Sequence, residues 1–215
     1  MKKLNSEMFR KFGIAALTAA VFVCTPACNK DDDDNGGSPV SSINATVENG
    51  ASYNSKVDSV KAFAYVGDTW ARTEIAKGSY ADGKFKIDLP ETVPAAYLET
   101  FDEEGFPEGI TVSNKQAKRL NISSFIAYKG GNKVGEFDYG NADETAEVFY
   151  MFVDADVTIK GSYTDDDGDT EKYDVTLKKG WNEIYVTSTK SKDGKTFSFS
   201  NSKPSGLKWI FEESE

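Results

Sequence analysis

The spacing of apolar and polar residues predicts a chain built from short β-strands. From residue 43 onward, apolar and polar positions alternate over short runs, which Gly, Asn or Asp interrupts about every eight to twelve residues. The alternation is regular over residues 84–89 and 156–160, which indicates strands with one buried and one wet face. Because no run shows convincing helical spacing, the pattern predicts an all-β fold.

Three features predict a central strand, two hairpins and the last strand. After Glu147, residues 148–153 read Val-Phe-Tyr-Met-Phe-Val and leave no polar face, which predicts a central strand covered on both sides. Asp-Gly pairs at residues 82–83 and 193–194 tolerate the positive φ of tight primed turns, so hairpins are expected there. Residues 207–211 form the final predicted strand.

The folded part is expected to comprise residues 41–215, a length that can bury a core without disulfides. We predict an antiparallel β-sandwich, either as one unit or as two small halves at residues 40–112 and 120–215. The irregular stretch at residues 90–118 contains Pro, Gly and an acidic cluster. It is predicted to be either a long functional loop or the joint between the two halves.

Residues 1–27 have the three zones of a secretory signal peptide. Four basic residues lie near the start, and they are followed by an apolar run of 11 residues from Gly13 to Val23. A permanent transmembrane helix needs roughly 20 apolar residues, so cleavage after export is the favoured interpretation.

The segment Thr25-Pro26-Ala27-Cys28 predicts a lipid-modified cysteine at Cys28. Small Ala27 suits a peptidase pocket before Cys28, whereas bulky Val23 precedes Cys24. The segment resembles a bacterial lipobox, with Thr25 and Pro26 at positions where the usual pattern has Leu and a small residue. The alternative is an ordinary cleaved signal in which Cys28 has no role.

Residues 28–40 are predicted to be a disordered acidic tether, because Lys30 and the run Asp31–Asp34 cannot bury apolar surface. Lys and an acidic run after a lipidated Cys resemble the export signal of Bacteroidetes-type surface lipoproteins. The resemblance implies an outer-membrane protein that is anchored by lipid and faces the exterior. The alternative is a linker that only improves solubility.

Charge and residue types restrict the partners and the chemistry. The chain has a net charge of −10, and loss of residues 1–27 would remove four basic residues and one acidic residue, leaving −13. Nucleic-acid binding is therefore not expected, because no basic stripe could neutralise phosphates. The chain has two Cys and no His, so a disulfide, a Ser-His-Asp triad and a Cys/His zinc site are not expected in the mature domain.

The sequence Asp165-Asp166-Asp167-Gly168-Asp169 offers oxygen ligands of the kind that calcium prefers. The spacing differs from that of an EF-hand, in which the ligands alternate along the loop. We hypothesise that Asp165, Asp166, Asp167 and Asp169 bind calcium. The alternative is a solvated hairpin tip in which Gly168 supplies the turn.

A second acidic group contains Asp102, Glu103, Glu104 and Glu108. Two carboxyl groups suffice for glycoside hydrolysis, but no pattern here pairs two acids across a cleft. We therefore do not expect an enzyme, and a glycoside hydrolase remains the weakest alternative.

Three tryptophans are candidates for ligand contact or for the core. Trp181 and Trp209 are predicted to lie in the core. Trp70 stands between Asp68-Thr69 and Arg72, and this polar setting makes it the candidate for an exposed platform that stacks on sugar rings. The leading expectation is a non-catalytic binding module for a glycan or a protein. The alternative is a structural subunit that donates its terminal strand to a neighbour.

Overall fold

The computed structural model describes residues 38–67, 71–101, 106–192 and 194–214. These residues form fifteen strands and two short 3-10 helices, which are located at Gly50–Tyr53 and Ala95–Tyr97. The strands are β1 (Ser42–Thr46), β2 (Ser59–Val66), β3 (Ala71–Ala81), β4 (Lys84–Asp88), β5 (Glu99–Thr100), β6 (Ile110–Val112), β7 (Lys118–Asn121), β8 (Ser124–Lys129), β9 (Asn132–Gly140), β10 (Ala146–Val153), β11 (Val157–Thr164), β12 (Thr170–Leu177), β13 (Gly180–Lys190), β14 (Lys195–Ser200) and β15 (Lys208–Glu213). Within the described ranges, no helix is both long enough and apolar enough to cross a membrane.

The strands follow the order β1-β4-β3-β2-β8-β9-β10-β13-β14-β12-β11-β6, and β15, β7 and β5 pair to the side of this path. The predicted all-β fold class is confirmed. One pair, β12 with β14, is parallel, whereas the other strand pairs are antiparallel. The parallel pair arises because β14 lies between β13 and β12 and runs antiparallel to β13.

The predicted turn between β3 and β4 is confirmed at Asp82 and Gly83. Both residues have positive φ, at 52° and 71°, as a type I′ turn requires. In β4, Phe85 and Ile87 are buried and alternate with exposed residues, which gives the predicted single wet face.

Strand β10 is covered on both faces, as its sequence predicts. Tyr150 and Phe152 belong to one hydrophobic core, whereas Phe149, Met151 and Val153 belong to a second core. Successive side chains of a strand point to opposite faces, so an apolar residue at every position allows one strand to serve both cores.

The first core is formed by residues of β1 to β4, of β7 to β10, and of β13 and β15. The ring of Phe85 on β4 packs against Phe137 on β9 and Trp209 on β15, with centroids 5.1 and 5.0 Å apart. Trp181 contributes from β13, and its indole N–H donates a hydrogen bond to the carbonyl oxygen of Pro90 at 2.9 Å. Trp181 and Trp209 are therefore core residues, as predicted.

The second core is formed by β10–β14 and by the irregular stretch at residues 90–118. Tyr173 stacks on Phe199 with a centroid distance of 4.5 Å. Phe101, Val112 and Ala117 come from the irregular stretch and belong to this core. Whether this stretch is a joint between two domains stays a prediction.

Close packing of β15 on β9 depends on Gly135. A Cβ atom added there would meet Phe211 Cε2 at 2.5 Å and would clash with the carbonyl oxygen of Glu212. We expect Gly135→Ala to lower the free energy of unfolding by about 1–3 kcal/mol, because a packed core resists an added methyl group. Urea denaturation measures this change. Exposed Asn132 on the same strand provides the control, and an equal loss in Asn132→Ala would contradict the packing argument.

Candidate functional site

Several residues singled out in the sequence lie outside the described residues. They are Cys28, Trp70, Asp102, Glu103 and Glu104, together with the whole predicted leader. Lipidation of Cys28 and the Trp70 platform therefore stay predictions. Glu108 is described and is exposed.

The Asp165–Asp169 tip uses two of its carboxylates as backbone caps. The Oδ1 atom of Asp165 accepts hydrogen bonds from the backbone N–H groups of Asp167 and Asp169, at 3.0 and 2.9 Å. The Oδ1 atom of Asp169 accepts one from the N–H of Lys195 at 2.8 Å, and this contact joins the tip to the β13–β14 turn. Gly168 has a φ of 85°, so it supplies the turn. These bonds give the acidic tip a structural role.

In the part of the chain that the structure describes, no group of three or more Asp, Glu, His or Cys residues is arranged to hold a metal ion. The calcium hypothesis stays a prediction without support from this geometry.

Several polar side chains of the described residues converge near the first-core face of β9, β10 and β13. We call Tyr139, Tyr150, Glu183, Tyr185 and Lys203 the tyrosine cluster. Strand register creates it, because Tyr150 on β10 lies directly opposite Glu183 on β13. Tyr185 is two residues further along β13 and therefore points to the same face.

Both oxygens of the Glu183 carboxylate accept hydrogen bonds from tyrosines. The Tyr150 hydroxyl donates to Oε1 at 2.9 Å, and the Tyr185 hydroxyl donates to Oε2 at 2.6 Å. Hydrogen bonds to an ionised acceptor are shorter and stronger than neutral ones. The two bonds therefore fix the orientation of the carboxylate at the edge of the core.

Burial and the Glu183 carboxylate raise the pKa values of Tyr150 and Tyr185 well above their ordinary value. The Tyr139 phenol raises both pKa values further. Both buried tyrosines therefore remain protonated donors at neutral pH.

Tyr139 is enclosed between an aromatic ring and a cation. One face of its ring stacks on the Trp209 indole, with centroids 4.8 Å apart and an interplanar angle of 4°. The Lys203 Nζ atom lies 5.7 Å from the Tyr139 ring centroid. Hydrogen bonding to Tyr139, together with the nearby Glu183, raises the pKa of Lys203.

The tyrosine cluster combines a fixed carboxylate, a supported aromatic ring and an accessible edge. Tyr139 and Glu183 are half-buried, and Lys203 is exposed in the loop between β14 and β15. Such an arrangement favours non-covalent recognition of a polar or cationic group, because a few fixed polar groups beside aromatic surface set orientation and specificity.

Sequence reasoning did not find this cluster. One signal was present, since Glu183 is the single acid in the largely apolar segment Trp181–Val186 and so needs a partner if buried. The partner could not be identified, because Tyr150 and Glu183 are 33 residues apart and meet only through the β10–β13 register.

Comparisons with protein-family models, curated proteins and solved structures found no match to this chain.

The opposite face of β9 carries acids that restrict one another's ionisation. Asp138 is exposed on β9, yet desolvation by its surroundings, followed by repulsion from Glu212 and Glu136, raises the pKa of its carboxyl group to about 6. Burial and Asp138 raise the pKa of Glu147. Folding therefore favours the protonated form of both carboxyl groups.

We expect Asp138→Asn to increase the free energy of unfolding at pH 7 by about 1 kcal/mol, after allowance for solvent screening. A raised carboxyl pKa stabilises the folded state most below the unfolded value of 3.8, and this contribution is lost as the pH rises through about 6. The gain should therefore shrink towards pH 4. Urea denaturation at pH 7, 5.5 and 4 measures it, with Asp143→Asn in the nearby turn as the exposed control. An increase in the free energy of unfolding that does not depend on pH would contradict the raised pKa of Asp138.

Proposed function

We propose that this chain is a lipid-anchored outer-membrane protein that faces the exterior and binds a ligand, either a glycan or a protein, without catalysing a reaction. The observation that carries the binding role is the tyrosine cluster. The lipid anchor and exterior address rest on the leader sequence and the acidic tether.

The tyrosine cluster supports binding because its donors and acceptors are already held in place. Tyr150 and Tyr185 fix the Glu183 carboxylate from inside the core, and Trp209 supports Tyr139 from behind. A ligand that contacts this edge does not have to order these groups, which reduces the entropic cost of binding.

The alternative of a strand-donating structural subunit has less support. Strand β15 pairs with β9 of its own chain along its whole length, from Lys208 to Glu213. Trp209 and Phe211 on β15 are 4% and 6% exposed. Donation of this strand would remove both aromatic rings from the first core.

The anchoring proposal is tested with two cysteine variants and metabolic labelling by a fatty-acid analogue. We expect Cys28→Ala to abolish incorporation of label and to release the protein from the membrane fraction, because one lipidated cysteine carries the acyl chains. Cys24→Ala is the matched control and should retain the label. Equal labelling of wild type and Cys28→Ala would refute the anchor at Cys28.

The binding proposal is tested on arrays of glycans and of exterior proteins with the purified full chain in detergent. We expect saturable binding that weakens at least about tenfold in Glu183→Gln, because the substitution removes the charge and changes one acceptor oxygen. Exposed Glu108→Gln is the control, and equal thermal stability of the two variants excludes a folding effect. If Glu183→Gln leaves binding unchanged, the ligand binds at another site on the protein and the proposed site is wrong.

The same arrays address the two site predictions made from sequence. Loss of glycan retention in Trp70→Ala without a change in melting temperature would support the Trp70 platform. Loss of binding after addition of a chelator would support calcium at Asp165–Asp169. Turnover of an arrayed glycan would instead favour the hydrolase alternative.

A further inference from the structure

We infer that the tyrosine cluster is an ammonium-binding site and that Lys203 of the same chain occupies it as an internal ligand. This inference rests on the proposed binding function and names the chemical group that its site accepts. The shared chemistry is an alkylammonium group, which a free amine, a lysine side chain of a protein or an amino sugar of a glycan can supply.

The first step of the argument is the position of Lys203 relative to Tyr139. Its Nζ atom lies 5.7 Å from the ring centroid, within the distance at which a ring face attracts a cation. The opposite face of Tyr139 is stacked on Trp209. The Tyr139 ring is therefore supported by Trp209, and the Lys203 ammonium group lies within reach of both its ring and its hydroxyl.

The second step is the counter-charge. Glu183 lies on the first-core face of β13, opposite Tyr150 and two residues from Tyr185, and its negative charge also raises the pKa of the Lys203 ammonium group. Tyr150 and Tyr185 hold this carboxylate through both of its oxygens. An aromatic face beside a fixed carboxylate is the combination that recognises alkylammonium ligands, because the quadrupole of the ring and the negative charge act on the same cation.

The third step is the weak attachment of Lys203 itself. It lies in the loop at residues 201–207, most of which is exposed or half-buried. Among the residues that the structure describes, no carboxylate forms an ion pair with Lys203, whereas Lys208 pairs with Glu48 at 3.0 Å. Lys203 is held by its ring contact and its hydrogen bonding with Tyr139, so it can leave this position without breaking an ion pair among the described residues.

The charge of the protein adds a preference for cations. The chain has a net charge of −10, and an acidic surface raises the local concentration of positively charged ligands. An incoming ammonium group would replace Lys203 at Tyr139, so charge beside Glu183 is conserved during the exchange.

The test uses the purified full chain in detergent and measures choline binding by isothermal titration calorimetry. We expect Lys203→Ala to bind choline about three- to fivefold more tightly than wild type, because the internal competitor is removed. Lys203→Glu should bind at least as tightly as Lys203→Ala, and the control Lys208→Ala should match wild type. The uncharged isostere 3,3-dimethylbutan-1-ol should bind to none of them.

Two substitutions in the Lys203→Ala background locate the site. Tyr139→Leu removes the ring and should abolish choline binding, whereas Tyr139→Phe keeps the ring and should retain it. Because Tyr139→Leu can lower stability, its melting temperature is measured, and Glu183→Gln offers an independent loss of binding. The inference is overturned if Lys203→Ala binds choline no better than its neutral isostere, or if Tyr139→Phe and Glu183→Gln behave alike.

Three further probes distinguish the source of the ammonium group. They are a lysine-containing peptide, a glucosamine oligomer and the N-acetylated form of that oligomer. Tighter binding of the peptide than of choline supports a protein ligand, and binding of only the unacetylated oligomer supports an amino sugar. Array binding of uncharged ligands without any choline binding would overturn the ammonium inference while leaving the proposed binding function intact.

Discussion

Burial of β10 on both faces is the constraint on which the rest of the structure depends. Its alternate side chains enter two different cores, so every polar group on the strand must find a partner inside the protein. The backbone meets this requirement through β13 on one edge, and through β9 and β7 on the other. The two cores are therefore joined through a shared strand.

The tyrosine cluster follows from this constraint. Tyr150 fills the first core with its ring, but its hydroxyl needs an acceptor, which the register places at Glu183 on the next strand. Glu183 then carries a charge at the edge of the core, and the Tyr185 hydroxyl satisfies its second oxygen. A requirement of packing thus produces a fixed carboxylate beside aromatic surface, and the same feature makes the edge suitable for recognition.

The sequence could predict those features that depend on neighbouring residues. The apolar run at residues 148–153 revealed the doubly covered strand, and Asp82-Gly83 revealed the tight turn. The sequence could not predict the pairing of Tyr150 with Glu183 or the parallel arrangement of β12 and β14, because both depend on contacts between segments that are distant along the chain. Asp165 shows the opposite problem. The neighbouring acidic residues suggest that it binds a metal ion, whereas its hydrogen bonds in the structure cap a turn.

In the ammonium site that we infer, the internal lysine also determines what kind of affinity the tyrosine cluster can have. A carboxylate near a core is costly without a counter-charge, and in the inferred ammonium site Lys203 takes this role before an external ligand binds. Binding of an external ammonium group is then an exchange of one cation for another, so little net electrostatic free energy is gained. Affinity must come from contacts beyond the ammonium group, such as aromatic surface or the exposed loop. Selectivity among amines is therefore governed by the shape of the ligand rather than by its charge.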